Sequence, residues 1–259
     1  MECSFSEFSY GYAAIREAEA ELAQVYRSRG APILPSLVAE ERLGWDAQIP
    51  FVEFALFLQF KRAQYVSRRH PASPTWQHIG GPHYRFAIDT EGHQHRALLH
   101  LEQRLRTGVE IGEVFYAAPT FHEDRQFDAY YSTGEVLDRS SLVSPSEFRG
   151  DSGVHHFVTD LKGNSHILST PRAPQRRVSW EGLVAIAQED VVAASEGQPR
   201  QRMSVDVLEE ELMASAEMLG RGSDRATDVP PIRRIQRLAA LLDCGLVLLL
   251  SSPEQLRPF

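Results

Sequence analysis

The spacing of apolar and polar residues changes several times along the chain, and each change marks an element. Residues 8–28, FSYGYAAIREAEAELAQVYRS, are rich in Ala and Glu and carry apolar positions near helical spacing, which predicts a helix over about 10–28. Gly30, Pro32 and Pro35 break it, and a bend near Gly44 leads into a short strand around 45–49. The segment FVEFALFLQFKRAQYV is aromatic and branched enough for a strand over about 54–61. Along that strand Leu56, Leu58 and Phe60 point one way, and Phe57, Gln59 and Lys61 point the other. The second face begins apolar and turns polar toward its carboxyl end.

HYRFAI at 83–88 predicts a further strand, and HQHRALLHLEQRL at 93–105 a helix with Ala97, Leu98, Leu101 and Leu105 on its inner face. A strand over 113–118, apolar after Glu113, follows and is ended by Pro119. Residues 122–145 read as loop and short helix, with Phe127, Tyr130 and Tyr131 available to pack on the core. HHFVTDLKGNSHILS at 155–169 predicts a hairpin turning at Lys162-Gly163-Asn164. The order of elements implies an α/β fold, a mixed central sheet flanked by helices.

After the linker-like PRAPQRR at 171–177, helical patterns dominate, with Ser179 and Ser204 as N-cap candidates and prolines opening PPIRRIQRLAALLD. The apolar run LAALLDCGLVLLL at 238–250 reads as a buried helix turning into a strand, too short and too interrupted by Asp243 and Gly245 to cross a bilayer. The expected organisation is a core with a hairpin extension over 1–170 and a helical appendage over 178–259.

The chain has 259 residues and a formal net charge of −8, which argues against nonspecific coating of nucleic acid while leaving room for a local basic patch. Cys3 and Cys244 lie far apart, so neither a disulfide scaffold nor a zinc knuckle is indicated. The amino terminus lacks the basic start and apolar core of a signal peptide, and a cytoplasmic setting without a membrane role is expected. There is no GxSxG, GxxxxGK[ST] or GxGxxG, which removes serine hydrolases, nucleotide hydrolases and dinucleotide dehydrogenases. Of the 27 basic residues only Lys61 and Lys162 are lysines. The hairpin turn explains Lys162. Lys61 ends an apolar strand, where arginine would have served a plain surface position.

An acid holding a divalent cation, together with a lysine that orients water or stabilises the forming oxyanion, is a minimal kit for phosphodiester hydrolysis. Asp46 follows Gly44, and Gln59 and Lys61 share one strand face. A hairpin-like return between 46 and 61 would bring the three together.

GWDAQIP followed by LFLQFKR resembles the restriction-endonuclease-like superfamily, motif PD-(D/E)xK, in its Mrr-like branch where the middle acid is replaced as QxK. Trp45 stands where the usual Pro precedes the Asp. The resemblance covers 10 to about 121 and implies a restriction-endonuclease-like core, Mg²⁺ or Mn²⁺ as cofactor, and a nucleic-acid substrate, typically DNA. It assigns Asp46, Gln59 and Lys61 to the Asp, Gln and Lys roles, with Asp46 and Gln59 on the metal. A first-helix acid completes the motif. Glu17, Glu19 and Glu21 are all available, and Glu17 is preferred because it shares a face with Tyr10, Ala13 and Ala14. Glu40 is a further candidate metal ligand, able to compensate for the neutral Gln59. The text from LPSLVAE through VFYAAPTFH also resembles a family of uncharacterised bacterial proteins, which carries no activity with it.

The expected function is metal-dependent phosphodiester hydrolysis in bacterial defence, with the carboxyl-terminal helices offering a surface for a protein partner and a homodimer compatible with the pattern. The alternative is a non-catalytic interaction or regulatory subunit on the same core. His93, His95 and His100 sit on one helix without the convergent spacing of a zinc set. His122 is placed to reach the mouth of the pocket, and of His155 and His156 one is expected packed and the other solvated. The basic clusters that qualify for phosphate contact are Arg62 with Arg68 and Arg69, Arg172 with Arg176 and Arg177, and Arg233 with Arg234 and Arg237.

Overall fold

The computed structural model describes residues 1–25, 51–69, 74–108, 112–168, 171–176, 178–185, 203–220, 229–242 and 244–250. The chain forms a mixed α/β structure with two sheets, one mixed and one antiparallel.

The first helix, α1 (Glu7–Val25), buries Tyr10, Ala14, Ala18 and Leu22 at four-residue spacing, together with Ala13 and Ile15. Its small residues let it approach the sheet closely. A Cβ on Gly11 would lie 2.8 Å from the Phe60 ring, so glycine sets the helix-to-strand distance there. That strand, β1 (Phe51–Phe60), is the centre of the molecule, and its apolar sequence fits burial on both faces. Two short elements follow, β2 (Gln64–Val66) and α2 (Pro74–Ile79), then β3 (His83–Asp89). Helix α3 (His93–Gly108) buries Ala97, Leu98, Leu101 and Leu105 as its pattern predicts, and delivers the chain to β4 (Gly112–Pro119). β4 pairs in parallel with β1, placing Gln59 beside Tyr116 and Phe60 beside Ala117.

After α4 (Asp124–Thr133) and β5 (Ser140–Val143), a 3₁₀ turn at Pro145–Phe148 leads to the hairpin of β6 (Val154–Asp160) and β7 (Ser165–Ile167). Gly163, at φ 82°, takes the left-handed position of the turn at 161–164, as that sequence predicts. The antiparallel sheet runs β2-β3-β6-β7. His155 is buried and His156 half-buried, the alternation expected of a strand.

The carboxyl-terminal region supplies strands as well as helices. Helix α5 is described over 180–185, β8 is Met203–Ser204, α6 is Val205–Glu217, α7 is Pro231–Leu241, and β9 is Gly245–Leu250. Ser204 caps α6, its side chain accepting from the Val207 N–H at 3.1 Å. β9 lies antiparallel to β1 from Val52 to Leu58, and β8 pairs with Phe51 and Val52. The main sheet is therefore β5-β4-β1, with β8 and β9 on the other side of β1. The region expected as a helical appendage over 178–259 thus also contributes strands to the central sheet, and the run at 238–250 is the end of a helix followed by a strand, as its pattern predicts. No described helix is long and apolar enough to cross a membrane.

Candidate active site at the carboxyl end of β1

Strand alternation sorts the predicted residues between two faces. Phe60 points to α1, against Gly11, so Gln59 and Lys61 point to α3. The Lys61 N–H donates to the Ala117 carbonyl at 2.9 Å, which carries the pairing with β4 one residue beyond the strand. The Lys61 ammonium donates to Gln94 Oε1 at 3.4 Å and lies 5.6 Å from the centre of the Tyr116 ring. A cation over an aromatic face is held there by the ring quadrupole.

Gln59 is 5% exposed. Its amide N–H donates weakly to the Phe60 carbonyl at 3.4 Å, while Oε1 is buried and has no hydrogen-bond partner. Among the described residues one other buried side-chain atom shares that condition, Ser144 Oγ. Leaving a buried acceptor unmatched costs about 1–3 kcal/mol, so such atoms are uncommon away from sites of function.

Behind this pair, His95 Nδ1 and the Tyr116 hydroxyl share a hydrogen bond of 2.9 Å, and their rings stack. His95 is 4% exposed. Burial pushes its pKa down to about 4, the charges of His155 and Lys61 act in the same direction, and Asp89 and Asp151 oppose. The imidazole is neutral near pH 7. Burial likewise raises the Tyr116 phenol, which stays protonated. The polar cluster thus contains Gln94, His95 and Tyr116 beside the predicted pair. The other two helix histidines point elsewhere: His100 bonds Ser215 and His93 bonds the Met218 carbonyl, both tying α3 to the α6 region.

Glu17 is not brought to this cluster. Its two carboxylate oxygens accept from the Val136 and Leu137 N–H groups at 2.7 and 2.8 Å, on the α1 side of the sheet. That geometry separates the expected metal ligand Glu17 from Gln59 and Lys61 and gives each of its oxygens a backbone partner. Of the alternatives on the same helix, Glu21 accepts from Trp180 Nε1 at 3.0 Å. Asp46 and Glu40 lie outside the described residues. The turn implied by a return between 46 and 61 is absent from 51–60, which form one uninterrupted strand. Between Ala55 and Leu58 both edges of β1 are occupied, one by β4 and the other by β9.

An unpartnered amide oxygen is the donor type that Mg²⁺ takes, so Gln59 fits as one ligand. Among the described residues no group of three or more His, Cys, Asp or Glu is placed to hold a metal ion. His122 stacks on Tyr65 and bonds the Tyr84 hydroxyl at 3.1 Å.

The basic clusters separate by their partners. Arg234 forms two bonds of 2.6 and 2.7 Å with Glu209, balancing the acidic helix beside it. Arg68 and Arg69 are exposed after β2, close in sequence to Lys61, and Arg62 contacts Glu2 at 3.8 Å. No family model matches the chain, and no curated protein or solved structure matches it.

Proposed function

We propose that the chain is a metal-dependent nuclease of restriction-endonuclease-like core, acting on DNA in the cytoplasm, with the Gln59-Lys61 end of β1 as its reacting centre and bacterial defence as its setting. The observation that carries this reading is the buried, unpartnered Oε1 of Gln59, two residues from a lysine at the carboxyl ends of two parallel strands. Crevices at the carboxyl ends of parallel strands are the usual ligand sites of α/β sheets. When bound, Mg²⁺ or Mn²⁺ would neutralise phosphoryl charge and lower the pKa of a water. Gln59 would supply one oxygen to it. Lys61, held by Gln94 and the Tyr116 ring, stabilises negative charge on a phosphoryl oxygen, and neutral His95 fixes Tyr116 without adding a second positive charge.

The test is cleavage of single- and double-stranded DNA and RNA with Mg²⁺ or Mn²⁺ by the wild type and Lys61→Ala. Loss of a group that stabilises developing charge lowers turnover by about a hundredfold or more. An unchanged melting temperature in the variant assigns that loss to chemistry. Equal rates in both proteins, or no cleavage of any substrate by the wild type, overturn the reading. Occupation of the second β1 edge by β9 favours one alternative, a non-catalytic subunit on the same core, for which nucleic-acid binding without cleavage is the expected result.

A further inference from the structure

A second polar site lies at the other end of α3. Arg106, Arg149, Arg172 and Arg176 line a cavity of about 610 Å³, together with Glu147, Asp151 and neighbouring polar residues. Twelve residues of helix, about 18 Å at 1.5 Å per residue, separate Arg106 from Gln94, so this cavity is distinct from the Gln59-Lys61 cluster. Four guanidinium groups around one cavity are unexpected in a chain of net charge −8.

Two of the acids nearby are engaged by backbone and hydroxyl donors, and two by the cavity's own Arg172 and Arg176. Glu147 accepts from the backbone N–H groups of Gln175 and Arg176 at 2.8 and 2.7 Å. Glu102, 2% exposed, accepts from the Ser146 N–H and hydroxyl, both at 2.7 Å. Glu113 takes two bonds from Arg176, at 3.0 and 2.7 Å, and Asp151 one from Arg172 at 2.7 Å. These contacts fix the arginine side chains in orientation, because a bidentate or buried partner removes rotamer freedom before any ligand arrives. Arg106 Nη2 lies 3.3 Å from Glu102 and 3.7 Å from Glu113. Arg149 is exposed and has no side-chain partner among the described residues.

The geometry points to a binding site for a multiply charged phosphate group, with Arg149 and Arg106 as the principal contacts and Arg172 and Arg176 as the preorganised wall. The planar guanidinium fork matches phosphate oxygens in pairs, and the volume falls within the usual range of small-ligand pockets. The site stands independently of the proposed nuclease centre.

Titration calorimetry of the full chain with inorganic pyrophosphate tests it. Saturable binding at one site is expected, weakened about tenfold or more by Arg149→Gln, an exposed position whose change leaves the ion pairs intact. Lys61→Ala leaves the affinity unchanged, which separates this site from the first. Absence of saturable binding overturns the proposal, as does equal affinity in the wild type and Arg149→Gln. Loss of binding in Lys61→Ala would also overturn it, by moving the anion to the other cluster.

Discussion

Both faces of the central sheet bury polar side chains, and one on each face makes the comparison, because the two are finished differently. On the α1 face Glu17, 7% exposed, gives both oxygens to the backbone at Val136 and Leu137. On the α3 face Gln59, 5% exposed, leaves Oε1 unmatched. A buried polar group with every bond made is explained by the fold it supports. One left unmatched raises the free energy of the folded state and calls for an explanation outside it. Burial and residue type alone rank the acid as the better catalytic candidate, and the hydrogen bonds reverse that order.

Deleting each side chain gives the sharpest contrast. Glu17→Ala strands two buried N–H groups at about 1–3 kcal/mol each, a loss of about 2–6 kcal/mol in denaturant unfolding at pH 5. Gln59→Leu replaces an orphaned acceptor by an apolar group of similar size and is expected to change stability by less than about 1 kcal/mol. Similar losses in both variants would end the distinction drawn between the two faces.

The faces also respond to pH in opposite directions. Burial raises the Glu17 carboxyl from 4.5 to about 7, against the opposing pull of its two backbone hydrogen bonds. Between those values the folded state keeps a proton that the unfolded chain has released. Its contribution is therefore complete below pH 4.5 and is lost as pH rises through 7. His95 is lowered from 6.5 to about 4, so its contribution is complete above pH 6.5 and is lost as pH falls through 4. Over the shared window the two slopes oppose, each worth up to about 3 kcal/mol at 1.36 kcal/mol per pKa unit. Urea unfolding across that range should show Glu17→Gln gaining stability as pH rises and His95→Asn losing it. Parallel curves for both variants and the wild type would contradict the assignment.

How far the site was legible follows from which interactions are local. The alternation of Phe57, Gln59 and Lys61 is written in the period of one strand, and the strand has the expected faces. The inner face of α3 was equally legible, since Ala97, Leu98, Leu101 and Leu105 repeat at helical spacing. Glu17 was correctly expected on a packed surface with Tyr10, Ala13 and Ala14. Its partners, however, stand 119 and 120 residues away, and no local pattern announces two backbone N–H groups at that distance. The closing of β1 by β9 was hidden for a similar reason, because a run that turns from helix into strand does not say which distant strand it will pair with. His95 carried a weak signal, one histidine on the face of α3 that also holds Leu98, whereas Tyr116 was concealed among the apolar residues Val114, Phe115, Ala117 and Ala118.

The finest test within the α3 face is Tyr116→Phe. The ring remains under the Lys61 ammonium, so the cation-π contact survives, while the hydroxyl that meets His95 Nδ1 at 2.9 Å is removed. A lost neutral hydrogen bond in a buried pair is worth about 1 kcal/mol, which sets the expected fall in stability. Without the hydroxyl, His95 loses its one bonded neighbour in β4, and the orientation of the imidazole is no longer fixed from the sheet. The change should therefore appear at the histidine before it appears anywhere else, as a shift of its ring resonances in the NMR spectrum with the Glu17 face undisturbed. Resonances that move on both faces would mean that the sheet transmits the change and that the two polar groups are not independent.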